Sequence, residues 1–242
     1  SGSRVIIALN TSQPPLDNKD FRQALQYSID RKRIADTVYL GTGQPVDLPF
    51  APTSPAYDAT DDRFYTFDLD KAKALVASSG AKSPSIDFTY ASTSAQFALL
   101  AQIWQGDLAK IGVTLNLKLA DPVQSSVLLS QAKYNGMTIA LTLFGQLHIT
   151  MEDGNPFYSA HGINWSNFKS DDLTKLWTSI DTEPDVNKEK ALAAQFRKMV
   201  LDQSWNIVVC SAPPAFIASN KVHGLVYALE ERLVPTEAWL EA

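Results

Sequence analysis

The sequence predicts an α/β domain with a mixed β-sheet flanked by helices, and three observations carry that expectation. Short segments of period-two apolar alternation take turns along the chain with longer segments of helical period. The 242 residues, 45% hydrophobic and 10% aromatic, are enough for one large cored domain or two small ones. There is no internal repeat or low-complexity tract.

Taken in order, residues 1–3 read as a cloning scar and residues 4–242 as one domain. Residues 5–9 form a first strand. Pro14 and Pro15 then hold the backbone extended, because a proline biases its predecessor away from helix, and Asp17 is placed to cap the helix that follows. In that helix Phe21, Ala24, Leu25, Ser28 and Ile29 share one face, whereas Lys19, Arg22, Gln23 and Gln26 are expected to point away. Asp30 caps a second helix, with Ile34 and Val38 inward and Gly41 and Gly43 as its stop. Residues 40–67 hold four prolines and the aromatics Phe50, Tyr57, Phe64 and Tyr65, and read as an ordered coat.

Asp68 or Asp70 begins a helix with Ala72, Leu75 and Val76 inward and Gly80 at its end. Ile86, Phe88 and Tyr90 alternate as a strand. A long helix follows, with Phe97, Leu100, Ala101, Trp104, Leu108 and Ile111 in one stripe, Ser94 as its cap and Gly112 as its stop. Val113, Leu115, Leu117 and Leu119 alternate again. Pro122 suits a first helical turn, ahead of Val123, Val127 and Leu128, and residues 137–143 form an apolar strand. Residues 144–167 have little period and are rich in Gly, Asn, His and aromatics, which makes them the candidate binding loop. Two amphipathic helices come next, one carrying Leu173, Leu176, Trp177 and Ile180, the other Leu192, Phe196, Met199 and Val200. Strand-like pieces close the chain at residues 207–210, 216–218 and 222–227.

Charge and composition exclude several classes. A net charge of −5 without a basic run leaves no electrostatic footprint for nucleic acid. No apolar run reaches the roughly 20 residues that span a bilayer. Cys210 is the single cysteine, within an apolar run, and reads as a buried thiol. His148, His161 and His223 are far apart with no companion ligands, so neither a metal nor another cofactor is expected. Asp61, Asp62, Asp171 and Asp172 read as solvated or capping acids. A hydrolase would need a nucleophile elbow, a Cys beside a His or an acid pair on one face, and the sequence has none of these patterns.

Residues 14–34, PPLDNKDFRQALQYSIDRKRI, resemble a stretch found in the peptide/nickel class, family 5, of ABC-transporter solute-binding proteins, whose usual form is close to D-x-R-x-R-Q-A-L-x-Y-A-I-D-R-x-x-I. DLDKAKALVASSG is similar to the family's D-x-x-K-A-K-x-L-L-x-x-A-G helix. The strand, long helix, I-G-V and strand succession, and KVHGL against V-x-G-L, extend the resemblance over nearly the whole chain. The resemblance implies a periplasmic-binding-protein-like (type II) fold and a single C-terminal ligand-binding lobe whose partner, the N-terminal lobe, is absent. It implies capture of a small solute, peptide or oligosaccharide-like, between two lobes and delivery to an ABC transporter permease. It also implies a periplasmic or extracellular, membrane-associated protein, with lipoprotein anchoring of the full-length form as one mode. An intracellular sensing domain of the same fold, fused to a regulator, is one alternative, and a hydrolase is the other.

In oligopeptide-binding members a tryptophan and an aspartate follow the strand at residues 137–143. Phe144 takes the aromatic place here, the acid's place falls near Leu147, and the nearest carboxylates are Glu152 and Asp153. The expected ligand-binding residues are Phe144, Gln146, His148, Asp153, Asn155, Trp165 and, at the start of the long helix, Gln96. Trp165 can be either a cleft wall or a loop anchor packed on the core, and the anchor is preferred. Trp104 and Trp177 lie on inward helix faces and belong to the core.

Overall fold

The structure is a computed structural model and describes residues 2–54, 56–143, 149, 155–213, 216–227 and 233–241. Five strands form one mixed sheet: β1 (Ser3–Leu9), β2 (Ser85–Ala91), β3 (Thr114–Ala120), β4 (Met137–Leu143) and β5 (Asn206–Ser211), in the spatial order β3-β2-β4-β1-β5. β2 runs parallel to β3 and β4, while β1 is antiparallel to both β4 and β5. The first strand therefore threads against the direction of the other four.

The helices are α1 (Lys19–Ser28), α2 (Arg31–Thr37), α3 (Leu69–Ser78), α4 (Ala95–Lys110), α5 (Pro122–Ser130), α6 (Asp171–Thr182) and α7 (Val186–Gln203). Their starts follow from capping chemistry. Asp30, Asp68, Ser94, Asp121, Ser170 and Asp185 each accept a backbone N–H from the first turn. Asn18, not Asp17, caps α1, accepting from Phe21 N at 3.2 Å. The Pro14–Pro15 peptide is cis.

A continuous core joins sheet and helices. Trp104 on α4 stands edge-on to Phe88 of β2 at 5.9 Å and donates its indole N–H to Ser28 Oγ on α1. Trp177 of α6 packs on Phe196 of α7 and donates to the Tyr158 carbonyl. Both side chains are fully buried, in line with their helical stripes.

Several expectations from the sequence are corrected. Arg22 and Gln26 do not point to solvent. Arg22 is buried and donates to the carbonyls of Leu16, Asp17 and Gln203, and Gln26 donates to Asn206 O and accepts from Arg31. Long polar side chains here satisfy backbone carbonyls at the strand and helix ends, a use that periodicity cannot reveal. Asp61 and Asp62 are not simply solvated acids, since Asp62 is buried and takes the N–H groups of Asp47 and Leu48, and Asp61 pairs with Arg197 at 2.9 Å. Val123 and Val127 lie on a helix, as expected, and face solvent, a point on which the sequence made no prediction. Residues 216–218 form no strand.

The coat at residues 40–67 is packed rather than loose. Leu48, Phe50, Ala56 and Tyr65 are buried, the buried Arg4 side chain donates to the carbonyls of Leu48 and Phe50, and Gln44 exchanges hydrogen bonds with Ser211 at the edge of β5. The core ends near Ala212: beyond it, no described residue is buried. There the strands β6 (Val222–His223), β7 (Val226–Tyr227), β8 (Leu233–Val234) and β9 (Trp239–Leu240) pair β6 with β9 and β7 with β8. The reading of residues 4–242 as one lobe thus covers a cored body and a segment outside it. Ser3, assigned with the first two residues to a scar, opens β1 opposite Leu143.

Candidate functional site at the strand carboxyl ends

The sheet gathers several chain ends at one edge. Ser3 faces Leu143 and Arg4 faces Ser211, so β1 begins where β4 and β5 end. β2 and β3 are parallel to β4, so their ends, Ala91 and Ala120, lie toward the same edge. In open α/β sheets such an edge is where loops of independent sequence converge and ligands meet the fold.

The loops that leave this edge have defined chemistry. Ser92 N donates to Ala120 O at 2.8 Å and ties the β2–α4 loop to the end of β3. Ser94 caps α4 through Phe97 N, which leaves Gln96 exposed in the first helical turn, one turn before the half-exposed Leu99. Asp121 caps α5 by accepting from Val123 N and Gln124 N, so its carboxylate is already engaged. Leu119, Val123 and Leu141 expose 68%, 72% and 55% of their surface around these ends. For a β4 residue whose strand neighbours Met137 and Ile139 are buried, Leu141 is unusually open. The edge offers hydroxyls, an amide and aliphatic surface.

The expected ligand residues separate on this frame. Phe144, Gln146, His148 and Asp153 follow β4 directly and lie outside the described residues. Gln96 is at the carboxyl edge. Asn155 and Trp165 are not beside it. Trp165 stacks edge-on with Phe157 at 4.8 Å, its carbonyl accepts from Tyr134 Oη, and Phe157 O accepts from Trp205 and Asn206 at the opposite end of β5. Asn155 folds back on its own turn, accepting from Phe157 N, Tyr158 N and Ser159 N. The preferred reading of Trp165 as an anchor agrees with this placement. The sequence reading passed over Ser92, Leu119, Asp121 and Leu141, whose signal was their place just before or after a strand end.

A cavity of about 460 Å³ lies elsewhere, between the start of α2 and residues 41–47 and 62–67 of the coat. Its acids are already engaged: Asp30 with Arg33 N, Asp36 with Lys32, Asp47 with Tyr65 N, and Asp62 with two backbone donors. Arg31 Nε is 2.8 Å from Asp47 Oδ1, yet its hydrogen is directed to Val208 O, so that pair is a charge contact rather than a hydrogen bond. These groups hold the coat to β5. The Cys210 thiol, under the same coat, is buried and pushed up to about 12 by desolvation, which makes it unreactive. Among the described residues no cluster of three or more His, Cys, Asp or Glu is placed to hold a metal ion, and no helix is long and apolar enough to cross a membrane.

An α/β lobe with this edge fits a binding module. Residues 1–168 match the sequence model of the bacterial extracellular solute-binding proteins, family 5 middle region, and the chain therefore belongs to that family. Members of the family bind solutes and are not enzymes, which sets the hydrolase alternative aside. Among curated relatives, the heme-binding protein A of Haemophilus influenzae is 37% identical over 116 residues, 46% of this chain and 21% of that protein. The nickel-binding periplasmic protein of Escherichia coli is 31% identical over 126 residues, 47% of this chain and 24% of that protein.

Among solved structures, HbpA2 from Haemophilus parasuis superposes with a TM-score of 0.81 at 23% identity, over 99% of this chain and 48% of that one. NikA from Staphylococcus aureus, in complex with Ni(L-His)2, gives 0.78 at 19% identity, over 99% and 51%. At these identities the structural matches establish the fold. The chain spans about half the length of the solved chains it matches.

Proposed function

We propose that this chain is the C-terminal ligand-binding lobe of an ABC importer's substrate-binding protein. The lobe captures a small solute, peptide or oligosaccharide-like, against an absent N-terminal lobe and presents it to the membrane permease. The observation that carries this reading is the edge where β2, β3, β4 and β5 end and β1 begins, from which the loop at residues 144–154 departs. A ligand at that edge would meet Gln96, the Ser92 loop and the exposed Leu119 and Leu141, with Phe144, Gln146, His148 and Asp153 of the following loop as further contacts. Asn155 and Trp165 are proposed to shape that loop from behind rather than to touch the solute.

The aliphatic and amide lining favours a solute that is neutral where it meets this part of the lobe, because a buried charge without a partner is costly. Periplasmic or extracellular placement, with a lipid anchor on the full-length protein as one form, follows the named location of the nickel-binding relative. The reading is tested by thermal-shift and calorimetric titration of the full-length protein with dipeptides and tripeptides, neutral oligosaccharides, heme and Ni(L-His)2. One of these ligand classes is expected to raise the midpoint by mass action. Retention of that response after Gln96→Ala and Leu141→Asp together would remove the carboxyl edge as the site.

A further inference from the structure

Leu119 and Leu141 stand on the same face of the sheet. β2 and β3 pair Phe88 with Leu117 and Tyr90 with Leu119, and β2 and β4 pair Phe88 with Met137. Alternate residues of a strand share a face, so Tyr90, Leu119, Ile139 and Leu141 all lie on the side where Phe88 meets Trp104 of α4. Burial falls away along this face toward the carboxyl edge. Met137 and Ile139 are buried and Leu117 is half-buried, whereas Leu119 and Leu141 are open. Val5, opposite Leu141 on β1, is fully buried and closes the strip on that side. The open leucines stand on strands two spacings apart, roughly 10 Å, with β2 and Tyr90 between them.

Tyr90 gives this strip its chemistry. Its side chain packs beside Phe88 and the residue is only 5% exposed. Among the described residues none hydrogen-bonds its phenol oxygen, and that oxygen is not one of the sealed atoms left without a partner. It therefore reaches the surface, a single donor and acceptor between two open leucines. A group that covered the leucines and left this oxygen unpaired would bear a desolvation cost, so the strip selects apolar groups that also bring a hydrogen-bonding atom. The strip ends where β4 passes into the loop at residues 144–154, which makes it continuous with the proposed binding edge.

We propose that Leu119, Leu141 and Tyr90 form an apolar subsite of that edge, which takes an aliphatic or aromatic group of the solute and hydrogen-bonds an adjacent carbonyl or hydroxyl through Tyr90 Oη. The subsite deepens the functional reading above and rests on it. It places solutes that carry such a group ahead of fully hydroxylated oligosaccharides.

Methyl-labelled full-length protein is titrated with isovaleramide, an aliphatic amide, and with acetamide, which has the amide without the aliphatic part. Isovaleramide is expected to shift the Leu119 and Leu141 methyl signals saturably, and acetamide to bind at least about fivefold more weakly. Tyr90→Phe keeps the ring and is expected to weaken isovaleramide binding about threefold to tenfold, with the unfolding midpoint unchanged. Leu119→Ser, at an open position, is expected to weaken it by a similar factor. Absence of methyl shifts, equal binding of the two amides, or binding that both variants leave unchanged would overturn the proposal. A response in the 242-residue chain that is missing from the full-length protein would give the strip to the partner lobe and overturn it as well. Saturable, Tyr90-dependent isovaleramide binding in a full-length protein that responds to no solute of the panel above would uphold the subsite and count against the functional reading alone.

Discussion

Asp47 and Asp62 show how single residues hold the coat against the lobe. Both carboxyl groups are buried and carry raised pKa values, chiefly through desolvation. The Arg31 charge opposes the shift at Asp47, and the backbone donors of Leu48 and Asp47 oppose it at Asp62. A carboxyl group that is more basic in the folded than in the unfolded chain binds more proton when folded. Its contribution to stability is then greatest below the ordinary carboxylate value of 3.8 and is lost as pH rises through the higher folded value. Asp62→Asn keeps an acceptor oxygen for the two backbone N–H groups and removes the ionisation. Urea unfolding is expected to show a smaller loss of stability between about pH 4 and pH 7 for this variant than for the parent chain. An equal or larger loss would mean that the buried carboxyl is not the titrating group.

At the scale of elements, turns and caps decide where strands and helices stop, and two glycines separate the effects. Gly136 precedes β4 with φ +66°, and a Cβ there would meet Asp87 O at 2.3 Å. Gly136→Ala is expected to cost about 1 to 3 kcal/mol, through backbone strain and displacement of β4 from β2. Gly106 lies inside α4 with open space around its Cβ position. Gly106→Ala is expected to stabilise by about 0.4 to 1 kcal/mol, by reducing the freedom of the unfolded chain. Chemical denaturation of the two variants measures both signs, and a neutral Gly136→Ala would show that the β2–β4 junction is slack.

The elements also show what pattern could and could not tell. The faces of α1, α4, α6 and α7 were legible because 3.6-residue periodicity reports burial against a single neighbour. The burial of Arg22 and Gln26 was not, because their partners, Gln203 O and Asn206 O, lie about 180 residues away. For the same reason the open side of α5, with Val123 and Val127, and the exposed Leu141 at the end of a buried strand contradict local pattern. They lie around the edge where the sheet ends.

For the whole molecule, the decisive feature is that chain entry, chain exit and the proposed binding loop share one edge. A solute held between two lobes draws contacts from each, and closure of the clamp is what a transporter can recognise. On the two-lobed reading proposed above, the 242-residue chain is expected to bind any solute found for the full-length protein at least about 100-fold more weakly, a loss of roughly 2.7 kcal/mol. Paired calorimetric titrations measure the difference. Equal affinity would place the complete site on this lobe and make the partner dispensable for capture.

By itself, the sequence determined the α/β class, the order of the main strands and helices, the caps at Asp30 and Ser94 and the family resemblance, because these depend on short-range period, capping chemistry and ordered motifs. Only the tertiary structure decided that β1 runs against its four sheet partners and that Trp165 and Asn155 stand away from the carboxyl edge. It alone also showed that, among the described residues, burial stops at Ala212, with the strand pairs β6 with β9 and β7 with β8 beyond it. Strand direction, side-chain reach and burial are set by contacts between residues distant in sequence, and no local period encodes them.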